Sequence, residues 1–259
     1  MTGRLDDRTI VVTGAARGIG AALSHGLAAE GAAVVLADLD DAEAGLVAES
    51  IRDGGGRAIA VRTDVTDRDQ VRATIARAAA EFGRLDAYFN NAGFNEPEKF
   101  LDITESVWDR IMRVNAFGVV IGCQEAARQF LRQGGGGKIV NTASIAGRQG
   151  FPSFAPYSAS KAAVISLTQA GARALAPHGI TVNAFSPGVV RTPLWDKLDR
   201  DLAGIGEGDS GFASMAGDIL LGRAAEPEDV VPVAVFLAGP GSDYITGQVL
   251  PVDGGMVLV

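Results

Sequence analysis

The sequence predicts an α/β fold in which a single domain holds a doubly wound parallel sheet of about seven strands, with helices on both faces. Two observations predict it. Short apolar runs rich in β-branched residues alternate with longer segments of helical periodicity, which is the βαβ order. The short runs are apolar at consecutive positions, as strands buried on both faces are. No proline- or serine-rich linker divides the chain, so residues 1–259 are expected to form one domain.

Each predicted element follows from these patterns. The predicted strands lie at 9–13, 33–37, 58–62, 85–90, 138–142, 181–185 and 247–252. The predicted helices lie at 18–30, 42–53, 67–82, 104–133 and 157–176. The segment 191–226 is broken by glycines and interrupts the alternation before the last strand, and long insertions of this kind are often lids over a binding site. We therefore predict a substrate lid at 191–226.

Composition narrows the classes of partner. The net charge of −8 disfavours nucleic acid, an anionic membrane surface or an acidic carrier protein as the partner. The start "MTGRLDDRTIVV" is too charged for a signal peptide, and no apolar run is long enough to span a bilayer, so we expect a cytoplasmic protein. Cys123 is the single cysteine and cannot form an intrachain disulfide, and no metal site is expected because His25 and His178 lack ligand spacing.

A glycine-rich turn follows the first predicted strand. Residues 12–23 read "VTGAARGIGAAL", with Gly14, Gly18 and Gly20 where the strand passes into a helix. Glycines there let the backbone approach a pyrophosphate, and the helix N-terminus offers N–H groups and partial positive charge. The alternative is a plain turn, because the G-x-x-x-G-x-G spacing is a weak signal by itself.

The end of the second strand indicates which dinucleotide binds. Asp38 lies 18 residues after Gly20, where a carboxylate can accept hydrogen bonds from adenosine ribose hydroxyls and repel a 2′-phosphate. This favours NAD over NADP as the cofactor. Arg17 can instead pair with a 2′-phosphate, contact the pyrophosphate, or lie in solvent. The other residues that we assign to the cofactor near these strand ends are Ile19, Leu39, Asp64, Val65, Asn91, Ala92 and Gly93, with a helix N-cap as the alternative for Asp64.

A phenol and an ammonium lie one helical turn apart in "APYSASKAAVISL". Tyr157 and Lys161 share a helix face, and Ser144 follows the predicted strand 138–142 at the strand end where ligands bind in open α/β sheets. Lowering the pKa of a free tyrosine from near 10 to about 7 requires roughly 4 kcal/mol, and a neighbouring lysine charge, helped by the positive nicotinamide of an oxidised cofactor, acts in that direction. The alternative is a solvated pair of side chains.

The motifs "TGAARGIG", "NNAG", "YSASK" and "SPG", with Asp38, Asn115 and Ser144 between them, occur in the order seen in the short-chain dehydrogenase/reductase family, which the chain resembles over nearly its whole length. The resemblance implies a Rossmann-type domain, NAD(H) or NADP(H), and interconversion of alcohols and carbonyls. It makes Tyr157 the acid/base, Lys161 its partner and the holder of the nicotinamide ribose, Ser144 the hydroxyl that orients the substrate, and Asn115 the holder of a proton-relay water.

Loops near this site indicate the substrate. The resemblance places Pro187, Gly188, Val190 and Thr192 near the nicotinamide, with a proline turn as the alternative. Candidate substrate contacts, besides Ser144, are Phe94, Asn95, Gln149, Phe154 and Trp195. A small, partly polar alcohol or ketone is expected, since within the family the chain looks like acetoin reductases, butanediol dehydrogenases and sorbitol dehydrogenases.

Two other functions stay open on the sequence alone. One is a 3-oxoacyl-carrier-protein reductase, and the other is a non-catalytic NAD-binding regulator. Members of the family are commonly tetramers, so we expect a homo-oligomer. The apolar tail "GGMVLV" suits either a subunit interface or packing on its own domain.

Overall fold

Seven strands form one parallel sheet in the computed structural model, which describes residues 3–258. The strands are β1 (Thr9–Thr13), β2 (Ala33–Asp38), β3 (Arg57–Arg62), β4 (Ala87–Asn90), β5 (Gly137–Thr142), β6 (Ile180–Pro187) and β7 (Val249–Val252). Their order across the sheet is β3-β2-β1-β4-β5-β6-β7. The predicted fold class is confirmed. Met1, Thr2 and the last residue of the apolar tail, Val259, lie outside the described residues.

Helices cover both faces of the sheet. They are α1 (Gly18–Ala29), α2 (Asp41–Asp53), α3 (Arg68–Phe82), α4 (Glu105–Met112), α5 (Gly118–Gln133), α6 (Ala155–Leu175), α7 (Pro193–Gly204), α8 (Phe212–Ala216) and α9 (Val231–Ala238). Alternate residues of β1 serve opposite faces: Ile10 and Val12 pack in the cluster with α1, α2 and α9, whereas Val11 packs in the cluster with α3 and α5. Within residues 3–258, no helix is both long and apolar enough to cross a bilayer.

The strand order places a crevice at the carboxyl edge of the sheet. The chain runs outward from β1 through β2 to β3, then returns to the other side of β1 to add β4. Connections therefore leave β1 and β4 in opposite directions, and the gap between their carboxyl ends is where ligands bind in doubly wound sheets.

Three features differ from the sequence expectation. The predicted helix 104–133 contains a π-helical turn at Arg113–Phe117 between α4 and α5. Helix α9 was not predicted, because its sequence "VPVAVFLA" is apolar on every side and has no helical period. The segment 191–226 is more regular than expected, since it holds α7 and α8.

Candidate active site

The glycine turn brings the backbone close to the sheet edge. Gly14 has φ +63°, and a Cβ there would lie 2.8 Å from the Cα of Ala92. A Cβ on Gly20 would lie 1.9 Å from the carbonyl oxygen of Gly14. Only glycine permits this approach, which leaves the first-turn N–H groups of α1 facing the crevice without intrahelical partners. The turn thus has the shape and the donors that a pyrophosphate requires.

Asp38 ties the end of β2 to this turn. Its Oδ2 accepts a hydrogen bond from the backbone N–H of Ala16 (2.9 Å), and its Oδ1 accepts one from the N–H of Asp40 (3.0 Å). The guanidinium of Arg17 pairs with the Asp40 carboxylate. Two carboxylates therefore stand at this end of the crevice, and the nearby cation already has a partner.

A cleft of about 730 Å³ runs along the carboxyl edge of the sheet. Of the residues predicted to contact a dinucleotide, those that line this cleft are Gly14, Arg17, Gly18, Ile19, Gly20, Asp38, Leu39, Asp64, Val65, Asn91, Ala92, Gly93, Tyr157, Lys161 and Thr192. Asp64 does not cap α3, because that position is held by Asp67. Its Oδ1 instead accepts hydrogen bonds from the N–H and hydroxyl of Thr66, both at 2.8 Å. The cleft fits a dinucleotide, because its glycine turn suits a pyrophosphate and the carboxylate of Asp38 suits the adenosine ribose.

Helix α6 carries the phenol and the ammonium to the middle of the cleft. The Nζ of Lys161 lies 5.6 Å from the centroid of the Tyr157 ring and donates to the carbonyl oxygen of Thr142 (2.8 Å). Ser144, two residues beyond β5, lines the neighbouring cavity together with Tyr157. Its hydroxyl accepts a hydrogen bond from the N–H of Ala146 (3.1 Å), which fixes the hydroxyl oxygen.

The pKa values of this pair differ from the sequence expectation. Burial lowers the pKa of Lys161 to about 8. Burial also raises the pKa of Tyr157, and the Ser144 hydroxyl opposes that rise only in part. The expected lowering of the tyrosine pKa relied on the lysine together with the charge of an oxidised nicotinamide; in the protein by itself, desolvation of the phenolate moves the pKa of Tyr157 in the opposite direction.

Asn115 lies in the π-helical turn and is fully buried. Its Oδ1 accepts a hydrogen bond from the N–H of Phe94 (3.0 Å), and its Nδ2 donates to the carbonyl oxygen of Phe94 (2.8 Å) and to the hydroxyl of Ser160 (3.2 Å). The Ser160 hydroxyl donates in turn to the carbonyl oxygen of Tyr157 (2.7 Å). Asn115 therefore links the loop after β4 to the first turn of α6. Sequence reasoning missed Ser160 in this network, and it missed Thr142, whose carbonyl oxygen accepts the hydrogen bond from Lys161.

A smaller cavity of about 110 Å³ opens beside Tyr157 and Ser144. Other predicted residues that line it are Asn95, Phe154, Trp195, Pro187, Gly188, Val190 and Thr192. The rings of Phe154 and Trp195 meet edge to face with centroids 6.5 Å apart. Phe94 lies in the larger cleft instead, and Gln149 is exposed and lines neither. Leu194, Leu198 and Met215 also line the small cavity; they lie in the segment 191–226 predicted as a lid, although none of them was singled out as a substrate contact.

The fold and the site indicate a class of protein: a dinucleotide-dependent oxidoreductase with a tyrosine and a serine beside a small cavity. The family model described as enoyl-(acyl carrier protein) reductase matches residues 14–257. Diacetyl reductase, (S)-acetoin forming, of Staphylococcus epidermidis is 39% identical over 96% of this chain and 98% of that protein. L-2,3-butanediol dehydrogenase of Corynebacterium glutamicum is 43% identical, with the same two coverages of 96% and 98%.

A solved structure supports the same family as these relatives. The crystal structure of a short-chain type dehydrogenase/reductase from Mycobacterium marinum superposes with a TM-score of 0.89 and 36% identity, covering 98% of this chain and 97% of that one. The chain belongs to the short-chain dehydrogenase/reductase family, and it is an alcohol dehydrogenase/ketone reductase of that type.

Proposed function

We propose that this protein interconverts a small vicinal diol, or a polyol, with the corresponding hydroxy-ketone, using NAD. One observation carries the proposal: Tyr157 and Ser144 line a cavity of about 110 Å³ that opens into a dinucleotide cleft with Lys161 on its wall. The cavity is the right size for a small alcohol. The names of the relatives, a diacetyl reductase and a butanediol dehydrogenase, support the same substrate class.

The side chains have distinct roles in this reaction. When bound, the oxidised dinucleotide supplies the hydride acceptor and a positive charge near the phenol. Tyr157 takes the hydroxyl proton of the alcohol during oxidation, and it returns a proton to the carbonyl oxygen during reduction. Ser144 donates a hydrogen bond to the same substrate oxygen and so orients it. Lys161, with a pKa of about 8, keeps its proton at neutral pH, holds the ribose hydroxyls and favours the phenolate.

Charge at the adenosine end supports NAD over NADP. Asp38 presents a carboxylate at the end of β2, and its two oxygens each accept a single backbone hydrogen bond. A 2′-phosphate there would meet like charge. Arg17, the cation in the glycine-rich turn, is paired with Asp40. A ribose whose hydroxyls donate hydrogen bonds to the Asp38 carboxylate therefore suits this end of the cleft better than a ribose with a 2′-phosphate does.

Location and assembly are part of the proposal. We place the protein in the cytoplasm as a homotetramer. Large apolar side chains are exposed on α4 and at the end of the π-helical turn, where Trp108 and Phe117 each retain 42% of their surface, and Tyr244 is fully exposed before β7. Burial of such side chains between subunits would remove them from water. Light scattering on a size-exclusion column should give four times the chain mass of 26.7 kDa.

Initial rates of dinucleotide reduction across vicinal diols, polyols, monohydric alcohols and hydroxy acids test the function. We expect the highest kcat/KM for a vicinal diol or polyol, with NAD preferred over NADP. Equal or greater efficiency with NADP contradicts the cofactor proposal. Preference for a 3-oxoacyl thioester identifies the carrier-protein alternative instead. Dinucleotide binding without turnover of any alcohol or ketone identifies a non-catalytic regulator.

A further inference from the structure

One polar side chain in the wall of the small cavity lacks a partner. Asn95 lies in the loop after β4, is only 3% exposed, and lines the cavity together with Tyr157 and Ser144. Its Oδ1 is buried and accepts no hydrogen bond from any group in residues 3–258. A buried polar group without a partner destabilises a fold, so an unpartnered amide on a residue that lines a cavity points to a ligand group that completes it.

Two other buried side-chain oxygens in the described part of the chain share this lack of a partner, and they differ from Asn95 in position. Thr181 Oγ1 lies at the start of β6, and Ser186 Oγ lies near its end. Neither residue lines the small cavity or the dinucleotide cleft. Asn95 alone of the three combines an unsatisfied atom with a place in the substrate site, and Thr181 provides a matched comparison elsewhere in the fold.

The loop that carries Asn95 is held on both sides. The preceding residue, Phe94, is bound through its N–H and its carbonyl oxygen by the buried amide of Asn115. Three residues further on, the N–H of Glu98 donates to the carbonyl oxygen of Ser153 (3.1 Å). These bonds fix the backbone around Asn95 before any substrate arrives, so its amide meets a ligand with little loss of conformational entropy.

Asn95 is the polar side chain of the cavity that is available to bind a second oxygen of the substrate. Tyr157 and Ser144 serve the reacting oxygen, Thr192 is assigned to the nicotinamide, and the Thr142 hydroxyl donates to Asn91 Oδ1 (3.2 Å). Most remaining walls are apolar, formed by Ile145, Phe151, Phe154, Val189, Trp195, Leu198 and Met215. A second oxygen on the substrate would lose its water in that surrounding without a new partner, unless it lies next to the Asn95 amide.

We propose that Asn95 determines specificity through a hydrogen bond between its side-chain amide and the hydroxyl on the carbon next to the reacting one. The inference rests on the proposed function and adds the residue that selects diols and polyols over simple alcohols. A site built to bind a substrate hydroxyl rejects the analogue that lacks it, because the buried protein group then stays unpaired. Asn95 makes no contact with the transferred proton, so it selects the substrate without catalysing the reaction.

The test compares 2,3-butanediol with 2-butanol, two alcohols that share a carbon skeleton. In the wild type we expect kcat/KM to favour the diol. Asn95→Leu keeps the side-chain volume and removes the amide, so the diol/butanol ratio of kcat/KM should fall by at least about tenfold, the change for one lost hydrogen bond. The efficiency with 2-butanol should stay within about threefold of wild type or rise, since the new side chain is apolar.

Thr181→Val is the matched control, since it also removes an unpartnered buried oxygen at constant shape, and its diol/butanol ratio should equal that of the wild type. Asn95→Ala removes the amide without new bulk and must show the same fall as Asn95→Leu. An unchanged ratio in both Asn95 variants, or equal losses with both alcohols, overturns the inference while the proposed function stands. A wild type that oxidises 2-butanol as well as the diol overturns the proposed substrate class and the inference together.

Discussion

Lys161 should lower the free energy of unfolding, although the proposed reaction requires it. Its side chain is 4% exposed, and burial lowers its pKa from 10.5 to about 8, a difference that corresponds to about 3 kcal/mol against the charged form. Lys161→Met keeps the unbranched chain and removes the charge. It also loses the hydrogen bond to the Thr142 carbonyl oxygen, worth about 1 kcal/mol. We therefore expect the free energy of unfolding at pH 7 to rise by about 2 kcal/mol, with activity lost.

The sign of the pH dependence follows from proton binding. Below pH 8 the lysine is protonated in both the folded and the unfolded protein, so the full penalty applies to the wild type. Between about pH 8 and 10.5 the unfolded chain binds more protons than the folded one, and wild-type stability rises with pH. The advantage of Lys161→Met should shrink over this range and vanish near pH 10.

Urea unfolding of both proteins at pH 7 and pH 10, followed by circular dichroism, measures this difference directly. Lys99→Met removes a lysine from an exposed loop position and should change the free energy of unfolding by less than about 0.5 kcal/mol at either pH. If Lys161→Met is less stable than the wild type at pH 7, or if its effect is the same at both pH values, then the buried ammonium does not carry a desolvation penalty in the folded protein.

Three further outcomes follow from the cleft and the lid segment. Asp38→Ala should move the ratio of kcat/KM for NAD over NADP toward NADP by at least about tenfold, because a carboxylate that repels the 2′-phosphate is lost; an unchanged ratio would show that selectivity lies elsewhere. Gly20→Ala should weaken NADH binding, measured by fluorescence titration, by at least about tenfold, since its Cβ would lie 1.9 Å from the Gly14 carbonyl oxygen; wild-type affinity contradicts the cradle. Amide exchange across 191–226 should slow when NAD and substrate are both bound, and unchanged exchange at saturation counts against a closing lid.

Most of the fold could be predicted because its signals are local. Strand β1 matches the predicted range 9–13, since a short apolar run between polar residues has few alternatives. Helix α9 was not predicted, because burial on all sides removes the alternation of apolar and polar residues that indicates a helix. The π-helical turn was not predicted, because it depends on a tertiary contact. Asn115 binds the backbone of Phe94, and no pattern in the sequence encodes that contact.

The candidate site was predictable where the spacing of residues along a helix determines which side chains lie together. Tyr157 and Lys161 are four residues apart on one helix, so sequence places them on one face. The direction of the tyrosine pKa was not predictable, because desolvation depends on the walls that distant segments supply. Met215 reaches the cavity from α8, nearly sixty residues further along the chain than Tyr157, and only packing brings it there.

Replacement of Tyr157 by Phe tests the central claim most directly, since it removes the hydroxyl and keeps the ring. With the best diol and NAD, under conditions where the chemical step limits the rate, kcat should fall by at least about 100-fold, the loss typical of a missing general acid/base. The dissociation constant for NADH should stay within about twofold of the wild-type value, because Lys161 and the glycine turn are untouched. Turnover by Tyr157→Phe at a rate close to wild type, with NADH bound normally, would contradict the assignment of the phenol as the group that moves the proton.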